Sequence, residues 1–199
     1  MYHFFETIKI LDGIPSNLKY HQQRMNYTFK SKLEAKIPLE LKDIITVPEL
    51  YSSGLVKCRL EYNSHQYRLL FSNYFPKTVN SLKVVSDNSI NYDFKYCNRN
   101  ELQKLLMEKG DCDEILIIKQ NKVTDTSFSN IAFFDGYRWY TPDSPLLYGT
   151  ARARLIETGL ISATPITVKN LRDFKSFILI NSMLDNNFSN MKPLSCILD

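Results

Sequence analysis

Several absences narrow the reading of this sequence at the outset. Its four cysteines, Cys58, Cys97, Cys112 and Cys196, form no C-x-x-C pair, so they read as reduced thiols rather than as a disulfide frame or a zinc site. No apolar run is long enough to span a bilayer, which argues against membrane embedding. The start, Met1-Tyr2-His3-Phe4-Phe5-Glu6, has neither the basic opening nor the apolar stretch of a secretory signal, and the expected location is cytoplasmic. Internal repeats and low-complexity tracts are missing too. No block of Lys and Arg is interleaved with aromatics. The formal charge of +4 is too slight to suggest nucleic acid as a partner, but it suits a small anionic substrate.

What is present is an ordinary globular composition. In 199 residues, 44% hydrophobic and 23% charged, a substantial core fits one large domain or two small ones sharing an interface. Alternation predicts a strand over 4–11, an Asp12-Gly13 turn, and a helix over 18–32 with Leu18, Met25, Phe29 and Leu33 on one face and Ser16 or Asn17 as its cap. A second helical stretch near 39–45 is interrupted at Pro48. Strands over 56–62 and 66–71, joined by Asn63-Ser64-His65, complete a small α+β unit. A polar connection over 77–81 leads to a strand over 82–86, and the expected boundary there divides the chain into domains 1–80 and 81–199.

The second half opens with a predicted helix over 99–109, its Leu102, Leu105 and Leu106 facing inward and Gly110 ending it. Strands follow over 114–119, 122–126, 131–134 and 137–141, the last two joined by the hairpin signal Asp135-Gly136. A helix over 150–158, closed by Gly159, and a strand over 177–181 complete the pattern.

Four separated segments carry chemistry. Phe5-Glu6-Thr7-Ile8 is followed by His21-Gln22-Gln23-Arg24, and then comes Phe94-Lys95-Tyr96-Cys97-Asn98-Arg99. Val123-Thr124-Asp125-Thr126-Ser127-Phe128-Ser129-Asn130-Ile131 is third, and Thr141-Pro142 with Leu147-Tyr148-Gly149-Thr150-Ala151-Arg152 is last. In this order they resemble the F-E-T-x and H-x-x-R, K-x-x-N-R, V-T-E-x-x-x-x-N-I/L, and T-P and L-x-G-I/T-x-R segments of class IV aminotransferases. That family includes branched-chain and D-amino-acid aminotransferases and 4-amino-4-deoxychorismate lyase.

The resemblance implies an α+β, two-domain fold type IV pyridoxal phosphate enzyme, D-amino-acid aminotransferase-like. It is expected to be shortened at the N-terminus, because relatives carry two strands ahead of the F-E-T segment. The implied cofactor is pyridoxal 5'-phosphate, the implied assembly a homodimer, and the implied catalytic group Lys95, as the Schiff-base lysine. Asp125 would pair with the pyridine nitrogen and keep it protonated, so that the ring accepts electrons. Relatives usually carry Glu there, one methylene longer, so either the strand sits closer to the ring or the contact weakens. A phosphate dianion wants helix-start N–H groups, hydroxyls and a fixed cation. By resemblance these are Gly149, Thr150, Ser182 and Arg24.

Lys57 and Arg59 lie in a strand similar to one that supplies a substrate carboxylate-binding group in relatives, and register decides which of them faces the cofactor. His21 reads as packing or capping locally, and Tyr92, Trp139 and Tyr148 as core or rim aromatics. Lys95-Tyr96-Cys97-Asn98-Arg99 is closer to the lyase's K-H-L-N-R than to transaminase segments. Ile180-Asn181-Ser182-Met183 resembles the lyase's C-N-A-L, where transaminases tend to carry S-G-T or S-T-T. The expected activity is therefore conversion of 4-amino-4-deoxychorismate to 4-aminobenzoate and pyruvate, a step of folate biosynthesis. An aminotransferase acting on a branched-chain or D-amino acid ranks second, and a cofactor-binding scaffold without turnover third.

Overall fold

The computed structural model of the chain describes residues 2–33, 40–184 and 188–198. Its first unit, Met1–Pro76 with Phe94–Asn98, is organised by β1 (Phe4–Leu11). Period-two alternation puts Phe4, Glu6, Ile8 and Ile10 on one face of β1 and Phe5, Thr7 and Lys9 on the other. β1 pairs antiparallel with the short β2 (Ile14–Pro15) and with β3 (Leu55–Tyr62), and β3 pairs antiparallel with β4 (Tyr67–Asn73), in the order β2-β1-β3-β4. The tight return from β1 to β2 needs two residues with positive φ, and Asp12 (φ 48°) and Gly13 (φ 79°) supply them. Helix α1 (Leu18–Thr28), its π-helical extension Phe29–Leu33 and α2 (Leu41–Ile44) cover one face of this sheet. Met25, Phe29 and Leu41 close there on Ile8, Ile10, Val56, Cys58 and Leu60.

Two expectations for this unit change. Asn17 does stand at the start of α1, but in the left-handed region (φ 58°), where its side chain makes no capping bond; the helix opens instead through Tyr20 N–H to Asn17 C=O at 3.1 Å. Of the helix expected near 39–45, residues 41–44 are helical and Leu39 lies outside the described residues.

The division between units falls after Pro76 rather than near residue 80, and residues 94–98 return to the first unit. The reason is backbone pairing. Phe5 N–H donates to Lys95 C=O at 3.0 Å and Cys97 N–H to His3 C=O at 2.8 Å, so residues 95–97 take the part of β1's edge that β2 leaves open. Phe94 and Tyr96 then pack on Phe4, ring centroids 6.2 and 5.2 Å away. A linear scan of composition sees no reason to send five residues back across a boundary.

The second unit, Lys77–Asp93 with Arg99–Asp199, holds two sheets. In one, β5 (Leu82–Ser86) pairs parallel with β6 (Glu114–Lys119), with helix α3 (Asn100–Leu106) in the connection; β6 turns back into β7 (Lys122–Val123). In the other, β8 (Asn130–Phe134) is central, flanked antiparallel by β9 (Trp139–Pro142) and by β11 (Ser176–Ile180). The short β10 (Ser162–Thr164) lies parallel on β9, β12 (Lys192–Pro193) edges β11, and β13 (Ile197–Leu198) edges β5. Ile131, Phe133 and Phe177 point into a core shared with Leu82, Leu116 and Ile118. The alternate residues Ala132, Ile178 and Ile180 meet Ala151 and Leu155 of α4 (Thr150–Glu157). The architecture is α+β, and among the described residues no helix is long and apolar enough to cross a membrane.

Candidate active site

Lys95 is delivered by the edge pairing just described. Phe4 and Tyr96 face each other across the bridge, so alternation turns Lys95 to the opposite face, the one that Phe5 occupies. Its Nζ stands 4.6 Å from the centroid of the Phe5 ring, and the Arg59 guanidinium carbon stands 3.7 Å from the same centroid. Register explains the company. Phe5 is opposite Glu61, Thr7 opposite Arg59 and Lys9 opposite Lys57, so Lys57 and Arg59, two residues apart, share this face. Arg59 Nε donates to Glu61 Oε1 at 2.6 Å, and Arg68 Nε donates to Glu61 Oε2 at 2.7 Å. Burial pushes the Glu61 carboxyl up, but hydrogen bonds and charge from Arg59 and Arg68 outweigh it and hold the group below its ordinary value. Arg59 is thus fixed through its Nε edge.

On the other face, Glu6 is a fully buried carboxylate among apolar neighbours. It persists because α1 brings two donors to it. His21 Nδ1 lies 2.6 Å from Oε2, and Arg24 donates from Nε to Oε1 at 2.9 Å and from Nη2 to Oε2 at 2.5 Å. Burial pushes Glu6 up, yet the Arg24 charge and the hydrogen bonds from His21 and Arg24 bring it down to about 2. Burial likewise lowers His21 against the pull of Glu6, with the Arg24 and Lys95 charges lowering it further. Because a carboxylate can only accept, Nδ1 is the donor to Glu6, and Nε2 lies buried without a partner among the described residues.

A folded value near 2 against 4.5 unfolded stabilises the fold above pH 4.5 by roughly 3 kcal/mol, a contribution lost as pH falls through 2. Glu6→Gln should accordingly lower the melting temperature at pH 7 by roughly 6–12 °C. Thermal scans at stepped pH should show the gap narrowing below 4.5 and closing near 2. A gap independent of pH would mean that the ion pair is not its source.

In the second unit three strand ends converge. β8 begins at Asn130, opposite Ile180 at the end of β11, while Thr141 Oγ1 at the end of β9 donates to Ile131 C=O at 2.8 Å. The loops joined to these ends carry Asp125, Gly149 and Ser182, and Thr150 opens the helix that follows Gly149. Asp125 arrives through a slip in pairing. The strand expected over 122–126 is regular only at Lys122–Val123. Beyond it, Ile117 faces two residues, accepting from Thr124 N–H at 3.0 Å and donating to Asp125 C=O at 2.9 Å, the two-against-one arrangement of a bulge, which re-aims a side chain. Thr126 and Ser129 then bond to each other, N–H to C=O at 2.9 Å and hydroxyl to hydroxyl at 2.8 Å, ending the strand.

The Asp125 carboxyl is 4% exposed and accepts from Asn130 Nδ2 at 2.7 Å and from Leu147 N–H at 2.9 Å. Burial pushes it up to about 6, against those bonds and the charge of Arg152. Arg152 spends its own donors on Pro142 C=O at 2.8 Å and Thr141 Oγ1 at 3.3 Å, so it ties α4 to the end of β9. Helix α4 begins at Gly149-Thr150 with no side-chain cap and no acidic residue in its first turn. Such a start suits an anion. Asn181 Oδ1 accepts from Met183 N–H at 2.9 Å and Leu184 N–H at 3.0 Å, a turn that places Ser182 just past β11. A buried carboxylate, which a cationic N–H partner would stabilise, fits a protonated ring nitrogen as its acceptor, and the uncapped helix start beside it offers N–H donors that fit a phosphate. Sequence reasoning assigned no role to Glu6, Asn130 or Arg152, although all three stand inside the quoted segments; only their bonds reveal what they do.

This geometry belongs to a known class of proteins. The family model for amino-transferase class IV matches residues 3–185, and the chain belongs to that family. An uncharacterized protein of Haemophilus influenzae is 36% identical over 186 residues, covering 92% of this chain and 98% of its own. The crystal structure of a protein from Haemophilus somnus named "putative 4-amino-4-deoxychorismate lyase" is 38% identical with a TM-score of 0.86, covering 92% of this chain and 97% of that one. The branched-chain amino acid aminotransferase of Escherichia coli shares the fold, at 14% identity and a TM-score of 0.69 over 98% of this chain and 76% of its own.

Proposed function

We propose that the chain is a pyridoxal phosphate-dependent lyase that converts 4-amino-4-deoxychorismate to 4-aminobenzoate and pyruvate, and that it acts as a homodimer. The observation that carries this reading is the pair of cations on Phe5, Lys95 at 4.6 Å and Arg59 at 3.7 Å, with Lys57 on the same sheet face. A substrate bearing two carboxylates beside its amine suits a proton-accepting lysine with fixed cations around it. Preference for lyase chemistry draws on the Lys95–Arg99 and Ile180–Met183 segments and on the 38% likeness to the Haemophilus somnus protein.

Bound pyridoxal phosphate supplies a carbonyl for the substrate amine and an electron sink for the carbon that loses its proton. Lys95 Nζ takes that proton from the amine-bearing carbon and hands it to the departing enolpyruvyl group, which leaves as pyruvate while the six-membered ring becomes aromatic. Asp125 holds a proton at the ring nitrogen through its negative charge. Arg24, oriented by Glu6, is assigned to the phosphate together with Gly149, Thr150 and Ser182. Arg59 and Lys57 are assigned to the substrate carboxylates.

The deciding experiment incubates purified protein and cofactor with 4-amino-4-deoxychorismate and no amino acceptor. Equal amounts of 4-aminobenzoate and pyruvate are expected. Turnover that instead requires an amino acid and a keto acid would replace this reading with an aminotransferase.

A further inference from the structure

Asn130, the first residue of β8, is 6% exposed and uses its carboxamide nitrogen twice. Nδ2 donates to Asp125 Oδ1 at 2.7 Å and to Leu147 C=O at 2.8 Å, while Leu147 N–H donates to Asp125 Oδ2 at 2.9 Å. These three bonds engage both carboxylate oxygens and both Nδ2 hydrogens, so neither group rotates without breaking one. The remaining end of the carboxamide meets Gly149. A Cβ built on Gly149 would lie 1.9 Å from Asn130 Oδ1 and 3.1 Å from its Cγ. The backbone there is ordinary, φ −70°, so close approach rather than conformational freedom calls for glycine. The contact atom is a side-chain end, but one already pinned by two hydrogen bonds.

We propose that Asn130 is a positioning residue, holding Asp125 for the cofactor's ring nitrogen and coupling it mechanically to the helix start at Gly149. This role rests on the assignment of pyridoxal phosphate to the chain. Among the described residues Arg152 acts on Asp125 through its charge, while its Nε and Nη2 bond Thr141 and Pro142, so the side-chain hydrogen bond that orients the carboxylate is the one from Asn130. An alanine at 149 should therefore act on the ring nitrogen as well as on the phosphate, because it drives the carboxamide off Asp125.

Two ligands separate the ends of the site: pyridoxal phosphate, and its 1-deaza analogue, which carries C–H in place of the ring nitrogen and keeps the aldehyde and phosphate. Dissociation constants for both are measured with the parent chain, Asn130→Ala and Gly149→Ala, each checked for folding by circular dichroism. The parent should prefer pyridoxal phosphate by about tenfold or more, the scale of one charge-assisted hydrogen bond. In both variants that ratio should fall to about twofold or less, whatever happens to absolute affinity. If Asn130→Ala does not fold, Gly149→Ala carries the test, since it retains Asn130. A ratio kept at the parent value while both ligands weaken alike would overturn the role and leave the cofactor assignment standing. No preference in the parent would overturn the role alone, because the ring nitrogen would then not be recognised, and no binding of either ligand would overturn both.

Discussion

Lys95→Ala should fold normally and lose turnover by about four powers of ten or more, the reach of a positioned proton-transfer group together with its covalent hold on the cofactor. The structural loss is small. Lys95 contributes its Nζ to the Phe5 ring at 4.6 Å, a contact worth about 0.5–1 kcal/mol at a partly exposed site, and its backbone bond to Phe5 N–H survives the substitution. The melting temperature should thus move by only a few degrees while activity collapses. Borohydride reduction of the parent enzyme with pyridoxal phosphate, followed by peptide mapping, should place the adduct on Lys95. Lys95→Arg keeps a cation over Phe5 but forms no such adduct, and it should be as inactive as the alanine variant. An adduct on Lys57, which shares the same sheet face, would move the catalytic assignment to β3.

Asp125→Asn should retain cofactor through Lys95 and the phosphate contacts, yet slow the chemical step by several powers of ten, each equal to about 1.4 kcal/mol of lost transition-state stabilisation. The amide cannot supply the negative charge that favours a protonated ring nitrogen. Asp125→Glu, which keeps the charge and matches the residue usual in relatives, should be tolerated better. The same substitution leaves a mark on the cofactor-free protein. The folded value near 6 lies above the unfolded 3.8, so this group's contribution is fully present below 3.8 and is lost as pH rises through 6, a swing of about 3 kcal/mol. In urea titrations the stability of Asp125→Asn relative to the parent should rise by about that amount between pH 3.5 and pH 7. Near-normal turnover in Asp125→Asn would reduce Asp125 to a structural turn residue.

Much of the fold was legible because local patterns and tertiary burial agree. The strand over 82–86 and the strand over 114–119 appear at those residues, the helix after Gly149 starts where expected and the one expected from Arg99 starts one residue later, at Asn100, since apolar period and capping glycines act within a few residues. The short pieces β2, β10, β12 and β13 escaped notice because each is two or three residues long and owes its shape to a neighbour rather than to its own pattern. The early end of β7 follows from the Thr126–Ser129 bonds, which compete with the ladder for the same backbone.

The candidate site divides along the same line. The sequence by itself determined the identities: one lysine ahead of Asn98-Arg99, one acid after Val123-Thr124, and one glycine opening α4, because those chemical types at those positions are visible without coordinates. Tertiary structure alone decided their states and their company. Lys57 and Arg59 share Phe5's face because of the β1–β3 register, and Glu6 becomes an anchor for Arg24 only where alternation buries it beneath α1. Asp125 gains its high proton affinity from burial, and its orientation from an asparagine five residues on and an amide twenty-two residues on. Proton affinity depends on desolvation and on partners across space, and neither distance nor burial is written in linear order.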